Sequence, residues 1–240
     1  MEELAQRLVS WLREQVEQAG CRGVVFGLSG GVDSSVVGVL CKQAFPHTSL
    51  GIMMPCHSND EDLDDAQSVA SKFGILTVTV TLDEVFDSLL KALPDSKCEP
   101  QIQKRAEANI KPRLRMNVLY YIAAKLSSLV VGTSNKIELS VGYFSKYGDG
   151  GVDIMPLANL LKKDVNGLAR HLGIPEQIIT KPPSGGLWPG QTDEGEMGVT
   201  YSELDRYLAT GQAAEGIRRK IDNMVRLSAH KRALPATPPF

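Results

Sequence analysis

The chain predicts an α/β fold, a parallel sheet with helices on both faces. Three observations carry this. Short apolar runs rich in Val, Ile and Leu alternate with longer amphipathic stretches along the sequence. Strands that alternate with helices suit a parallel sheet, because parallel neighbours need a crossover rather than a tight turn. A glycine pair, Gly30-Gly31, stands between the first apolar run and the helix after it. That is the strand end at which open sheets of this class bind ligands.

Each element has its own warrant. Leu4, Leu8, Trp11, Leu12 and Val16 share one helical face, which predicts an amphipathic helix over 2–19, closed by Gly20. Residues 23–28 predict the first strand, and the helix after the glycine turn runs to about Phe45. Ser49–Met54 predicts a second strand, ended by Pro55. Asn59 or Asp60 caps a helix presenting Leu63, Ala66, Val69, Ala70 and Phe73. Ile75–Val80 predicts the third strand, 82–93 a helix, and 94–100 a polar connection. A long helix spans about 101–127 with a break near Pro112, and Leu114, Val118, Tyr121, Ile122 and Leu126 fall in phase along it.

Leu129–Gly132 predicts the fourth strand, 133–141 a loop running into a short helix, and 152–155 a short fifth strand. Leu160–Leu172 reads as a helix stopped by Gly173 and Pro175. Residues 180–199 are rich in Gly and Pro with no core-forming period, which predicts a long functional or mobile loop. Helices near 201–209 and 212–228 follow, and the Pro-rich tail 233–240 is expected to fray. The length fits one domain over 1–240.

Composition narrows the function. With 42% apolar and 22% charged residues the chain can build a sizeable core. A net charge of −2 gives no global basic character to argue for nucleic acid. Cys21, Cys41, Cys56 and Cys98 form no C-x-x-C pair and read as reduced thiols of a cytoplasmic protein. No apolar stretch reaches the roughly 18 residues a membrane span needs, and the acidic, amphipathic N-terminus is unlike a signal peptide. Cys56, near a strand end, has no assignable His/Asp partner and reads as a small buried residue rather than a nucleophile. His47 and His57 lack metal-ligand spacing and read as surface residues or neighbours of an adenosine.

The densest chemistry is Gly27-Leu28-Ser29-Gly30-Gly31-Val32-Asp33-Ser34-Ser35. A strand, a glycine turn and a helix start aim backbone N–H groups and the positive end of a helix dipole at one spot. The serines add hydroxyl donors. Asp33 beside this anion hole would be repelled by a phosphate unless a cation bridged the two. No lysine completes a Walker A pattern, and no third spaced glycine completes a Rossmann pattern. Ser-Gly-Gly-Xaa-Asp-Ser after a strand is similar instead to the pyrophosphate loop of ATP pyrophosphatases, which split ATP between its α and β phosphates.

A second polar constellation follows the fourth strand: Gly-Thr-Ser-Asn-Lys-Ile-Glu (132–138), then Gly-Tyr-Phe-Ser-Lys-Tyr-Gly-Asp-Gly-Gly-Val-Asp (142–153). With the phosphate loop, the Lys162-Lys163 helix start and the terminal His230-Lys231-Arg232, these stretches resemble the ammonia-dependent NAD synthetase family over about 23–232. The resemblance implies an adenine-nucleotide alpha-hydrolase-like (Rossmann-like) fold. It implies a two-step amidation in which deamido-NAD is adenylated by ATP and ammonia then displaces AMP. It also implies that Gly27, Leu28, Ser29, Gly30, Gly31, Val32, Asp33, Ser34, Thr133, Lys162 and Ser184 contact ATP. Asp33 and Glu138 would hold Mg²⁺, a hard cation that favours carboxylate and phosphate oxygens. Asp33, Glu138 and Lys162 would carry the chemistry, and Arg113, Lys146, Asp153, His230 and Lys231 would contact deamido-NAD at a homodimer interface. Val32 stands where the family often has Gln, and Pro112 where Ala is usual.

These positions have plainer rivals. Lys146 and Asp153 could pair with each other, and His230 could cap a helix end. Glutamine-dependent synthetases carry an amidase domain for which this length leaves no room, so free ammonia is the expected nitrogen donor unless a separate subunit supplies it. The expected partners are small molecules and a second copy, with neither nucleic acid nor membrane. Two alternatives stay open at this level: another ATP pyrophosphatase, of GMP-synthetase or tRNA-thiolating type, and a noncatalytic adenine-nucleotide sensor.

Overall fold

A parallel sheet forms around central strands that are buried on both faces. In the computed structural model, which describes residues 1–94, 98–188 and 190–240, β1 (Gly23–Gly27), β2 (Ser49–Met53), β3 (Thr77–Thr79) and β4 (Ser128–Val131) lie in the order β3-β2-β1-β4. Val25 of β1 sits in register with Leu50 on one side and Val130 on the other, all strands running parallel. Val24, Val25 and Phe26 are wholly buried, as a central strand covered on both faces requires.

Side chains alternate across the sheet and split the core in two. Val24, Phe26, Met53 and Val131 face a layer built by α1 (Glu2–Gln18), α2 (Val32–Ala44), α3 (Asp60–Phe73), α8 (Lys162–Leu172) and α9 (Glu176–Thr180). Val25, Ile52 and Val130 face the other layer, with Phe86 of α4 (Asp83–Ala92) and Leu119 and Ala123 of α6 (Ile110–Leu126). A third apolar cluster, Ile137, Leu161, Met197, Leu204 and Ile221, joins α7 (Lys136–Val141), α10 (Asp193–Met197), α11 (Tyr201–Thr210) and α12 (Glu215–Leu227) beyond the strand ends.

Three details differ from the sequence expectation. The long helix breaks at Asn109, which ends α5 (Pro100–Ala108) and starts α6. Pro112 lies three residues further on, in the first turn of α6, where its missing N–H would have had no intrahelical partner. The predicted fifth strand is a single parallel bridge between Val131 and Ile154. Residues 180–199 are not loop throughout, because α10 forms and Gln191, Asp193, Met197 and Val199 are buried. Those apolar anchors escape a periodicity scan because the helix is only five residues long. The expected connection at 94–100 falls partly on 95–97, outside the described residues. Residues 233–240 are exposed and carry no regular element. Among the described residues, no helix is long and apolar enough to cross a membrane.

Candidate active site

The glycine loop that the sequence suggests holds phosphate lies at the carboxyl end of β1. Gly31 is the N-cap of α2, so the first N–H groups of that helix have no intrahelical acceptor and face the loop's opening. The two glycines serve different ends. Gly30 has φ +84°, and a Cβ there would stand 2.2 Å from the Asp62 carbonyl of α3, so only glycine fits. Gly31 has extended backbone, is exposed, and would meet nothing closer than Ser29 Oγ at 3.6 Å. Hydroxyls set the loop's shape. Ser34 Oγ donates to the Gly31 carbonyl (2.9 Å), lies 3.0 Å from Ser29 Oγ and accepts from Ser29 N–H (3.2 Å).

Asp33, in the first turn of α2, is met from two directions. Asn135 Nδ2 donates to Oδ1 at 3.1 Å, and Lys162 Nζ pairs with Oδ2. Asn135 is itself fixed as the N-cap of α7. Its side chain accepts from Ile137 and Glu138 N–H while its own N–H donates to Glu138 Oε2. Thus the loop after β4 delivers Glu138 beside Asp33 and Lys162. Lys162 opens α8 and is buried, with only 5% of its surface exposed. Burial alone would depress its ammonium, but Asp33 and then Glu138 outweigh that and hold it above the ordinary lysine value.

Glu138 is only part-buried as a residue, yet its carboxylate sits within this cluster. Desolvation first, and Asp33 second, push its carboxyl up to about 8. Tyr201 Oη donates to Asp193 Oδ2 (2.9 Å) and reaches Glu138 Oε1 (3.4 Å). Tyr143 Oη donates to Glu196 (2.6 Å) and Asp193 (3.1 Å). Carboxylates therefore crowd one end of the site around a single paired lysine, an arrangement that favours an incoming cation. Among the described residues, no three His, Cys, Asp or Glu side chains form a ready metal cage.

Gly27, Leu28, Ser29, Gly31, Val32, Asp33, Ser34, Thr133, Glu138, Lys162, Ser184 and Lys231 all line one cavity of about 610 Å³. Its roof is 181–188. Lys181 Nζ holds Asp65 (2.7 Å) and Asp62 (2.8 Å) of α3, Lys111 Nζ donates to the Leu187 carbonyl (2.9 Å), and Lys104 lies over the Trp188 ring at 4.6 Å. Gly30, Arg113, Lys146, Asp153 and His230 are not on the cavity wall. Arg113 is exposed and donates to the Asn109 (3.0 Å) and Lys146 (3.4 Å) carbonyls. Lys146 donates to the His230 carbonyl (2.5 Å), placing these three and Lys231 on one adjoining surface. Asp153 lies apart. It accepts from Val130 N–H (2.7 Å) and Tyr120 Oη (2.9 Å) and caps the outer edge of β4. The rival pairing of Lys146 with Asp153 does not form among the described residues.

Cys56 is buried and its thiol is raised by burial, the reverse of what a nucleophile needs. His57 is exposed, with Nε2 2.9 Å from Asp87 Oδ1. A second concavity, of about 750 Å³, lies between α1 and 155–160 and holds none of the motif residues. Sequence reasoning did not single out Asn135, Asp193, Tyr143, Tyr201 or Gln191. Only Asn135 had a local signal, an Asn three residues before a Glu at a helix start.

The NAD synthase family model matches residues 4–235. The NH₃-dependent NAD(+) synthetase of Carboxydothermus hydrogenoformans is 52% identical over 238 residues, covering 99% of this chain and 97% of that protein. Among solved structures, the NMN synthetase from Francisella tularensis matches with a TM-score of 0.93 at 35% identity, covering 100% of this chain and 98% of the other. The NH₃-dependent NAD synthetase from Campylobacter jejuni matches with a TM-score of 0.81 at 27% identity, over 99% and 98%. These matches favour the NAD synthetase reading over another ATP pyrophosphatase or a sensor, and the sheet is that of the adenine-nucleotide alpha-hydrolase-like fold. On the full-length matches and the phosphate loop at the end of β1, the chain belongs to the NAD synthase family, ligases of NAD biosynthesis.

Proposed function

We propose that the chain amidates the nicotinate carboxylate of deamido-NAD with ATP and ammonia. The carboxylate oxygen attacks the α-phosphorus and pyrophosphate leaves. Ammonia then attacks the acyl carbon, AMP leaves with the bonding electrons, and the nitrogen loses a proton. The observation that carries this reading is the convergence of the phosphate loop, Thr133, Lys162 and Ser184 on one cavity in a chain of this family.

The residues divide the work. Gly27–Ser34 cradle the leaving pyrophosphate with backbone N–H groups and hydroxyls, while Thr133 and Ser184 border the nucleotide. Lys162 neutralises charge on the transferring phosphate, and its pairing with Asp33 holds it ready at that place. Asp33 and Glu138 offer hard oxygen donors side by side, a set that fits magnesium, which often takes one or two carboxylates and completes its shell with water and phosphate. Bound there, it would offset the repulsion between these carboxylates and the phosphates. Arg113, Lys146 and His230 form a basic surface beside the cavity, continuous with Lys231 on its wall and suited to the anionic dinucleotide, whereas Asp153 is set apart from it.

Free ammonia as donor is supported by the NH₃-dependent relative, which this chain matches over nearly its whole length. A homodimer would complete the basic surface from a second copy. Tyr121 and Leu126 of α6, 65% and 47% exposed, offer apolar contact area for it. We read 1–240 as one domain working in the cytoplasm, in keeping with its free thiols. A second substrate reading rests on the higher TM-score to an NMN synthetase: the same amidation on nicotinate mononucleotide. Pyrophosphate release measured with deamido-NAD and with the mononucleotide separates the two by their kcat/KM. Release dependent on neither would remove both.

A further inference from the structure

Lys162 reaches Asp33 from the first position of α8, on a stem of four rotatable carbons. Where its ammonium sits therefore depends on how firmly the backbone at 162 is held. That backbone is gripped by a residue distant in sequence. Asp205 of α11 accepts from Lys162 N–H through Oδ1 and from Lys163 N–H through Oδ2, both at 3.0 Å. Asp205 is 9% exposed, and its bond to Lys162 N–H is buried away from bulk water. Its charge also complements the positive end of α8. The residue preceding α8, Leu161, has no side chain able to do this, and Asp164 returns only to Leu161 N–H at 3.3 Å.

The same helix grips the other side of the site. Tyr201 stands four residues before Asp205, on the same face of α11. Its hydroxyl touches Asp193 and Glu138, and its ring lies 5.1 Å from Lys162 Nζ. One face of α11 thus sets both the backbone of Lys162 and the surroundings of its ammonium.

We infer that Asp205 is a positioning residue for the adenylation step, acting through Lys162 by fixing the first turn of α8. The inference rests on the proposed role of Lys162. Asp205→Asn keeps one acceptor and loses the charge and the second. It should lower kcat for deamido-NAD-dependent pyrophosphate release by about 10-fold, the scale of one charge-assisted hydrogen bond, with KM for deamido-NAD within about 2-fold. Asp205→Glu, which keeps the charge and both acceptor oxygens, should recover part of the loss.

The test is a double-mutant cycle with Lys162→Met, read both as residual pyrophosphate release and as ATP affinity. Coupling through Lys162 requires that Asp205→Asn change each by less than about 2-fold once Lys162 is gone. Equal losses in both backgrounds, or a wild-type kcat in Asp205→Asn, would overturn the positioning role. Full activity of Lys162→Met itself would instead sink the proposed role of the lysine, so the two failures are told apart. If Asp205→Asn fails to fold, Asp205→Ser runs the same cycle with the same criteria.

Discussion

Asp33 stands in the first turn of α2, where Asn135 and Lys162 both meet its carboxylate. Asp33→Asn should keep the fold, since an amide can still accept from Asn135. Its adenylation rate should fall by at least about 100-fold, the scale of one preorganised electrostatic group. Near-normal turnover at moderate magnesium would remove Asp33 from the site. Asp193 yields a pH prediction. Burial holds its carboxyl above the ordinary value, Tyr201, Tyr143 and Lys162 oppose that rise, and Asp33 adds to it. A raised value means the folded state binds the proton more tightly. The stability this contributes is full at pH below the ordinary carboxylate range and is lost as pH rises through the raised value. The melting temperature of ligand-free protein should therefore fall across that window, and Asp193→Asn should flatten the fall. An identical slope in the variant would contradict the assignment. Asp33, Glu138 and Lys162 were legible because each sits in a run of family-like residues. Asp193 and Asp205 were not, since nothing local marks a carboxylate whose partner, Tyr143 or the Lys162 backbone, lies about 40 residues or more away in the chain.

Among the elements, the stretch 180–199 shows where reading by composition stops. Its glycines and prolines suggested few anchors throughout, yet only the first half fits that description. Asp193–Met197 is helical, and Met197 and Val199 join an apolar cluster. The roof at 181–188 instead hangs on polar tethers, Lys181 to α3 and Lys111 to the Leu187 carbonyl. Amide exchange in 182–188 should be fast in free enzyme and slow with ATP and deamido-NAD bound, while 196–199 stays protected in both states. Strong protection of 182–188 without ligand would make it fixed scaffold. The positions of β1, β2 and β4 were legible to within a few residues because their sequences are largely apolar runs, whereas the short helix α9 and the reduced fifth strand were not. The break at Asn109 was displaced onto Pro112 because proline is the louder signal, though it is harmless in a first helical turn.

At the scale of the whole molecule, the sheet order β3-β2-β1-β4 puts the ends of β1 and β4 side by side. This is why motifs about 100 residues apart share one cavity. Strand alternation predicted the sheet and its ligand-bearing end, but strand order and the third apolar cluster depend on tertiary packing that no local pattern carries. The proposed reaction is an amidation that takes its nitrogen from ammonia. Its most direct measurement is product formation by purified protein with ATP, magnesium and deamido-NAD, supplied with either ammonium or glutamine. NAD, AMP and pyrophosphate should appear in equal amounts with ammonium and scarcely with glutamine. The rate should climb with pH as free NH₃ replaces NH₄⁺. Equal rates with glutamine, free of contaminating glutaminase, would contradict the nitrogen source, and the absence of any deamido-NAD-dependent NAD formation would contradict the account itself.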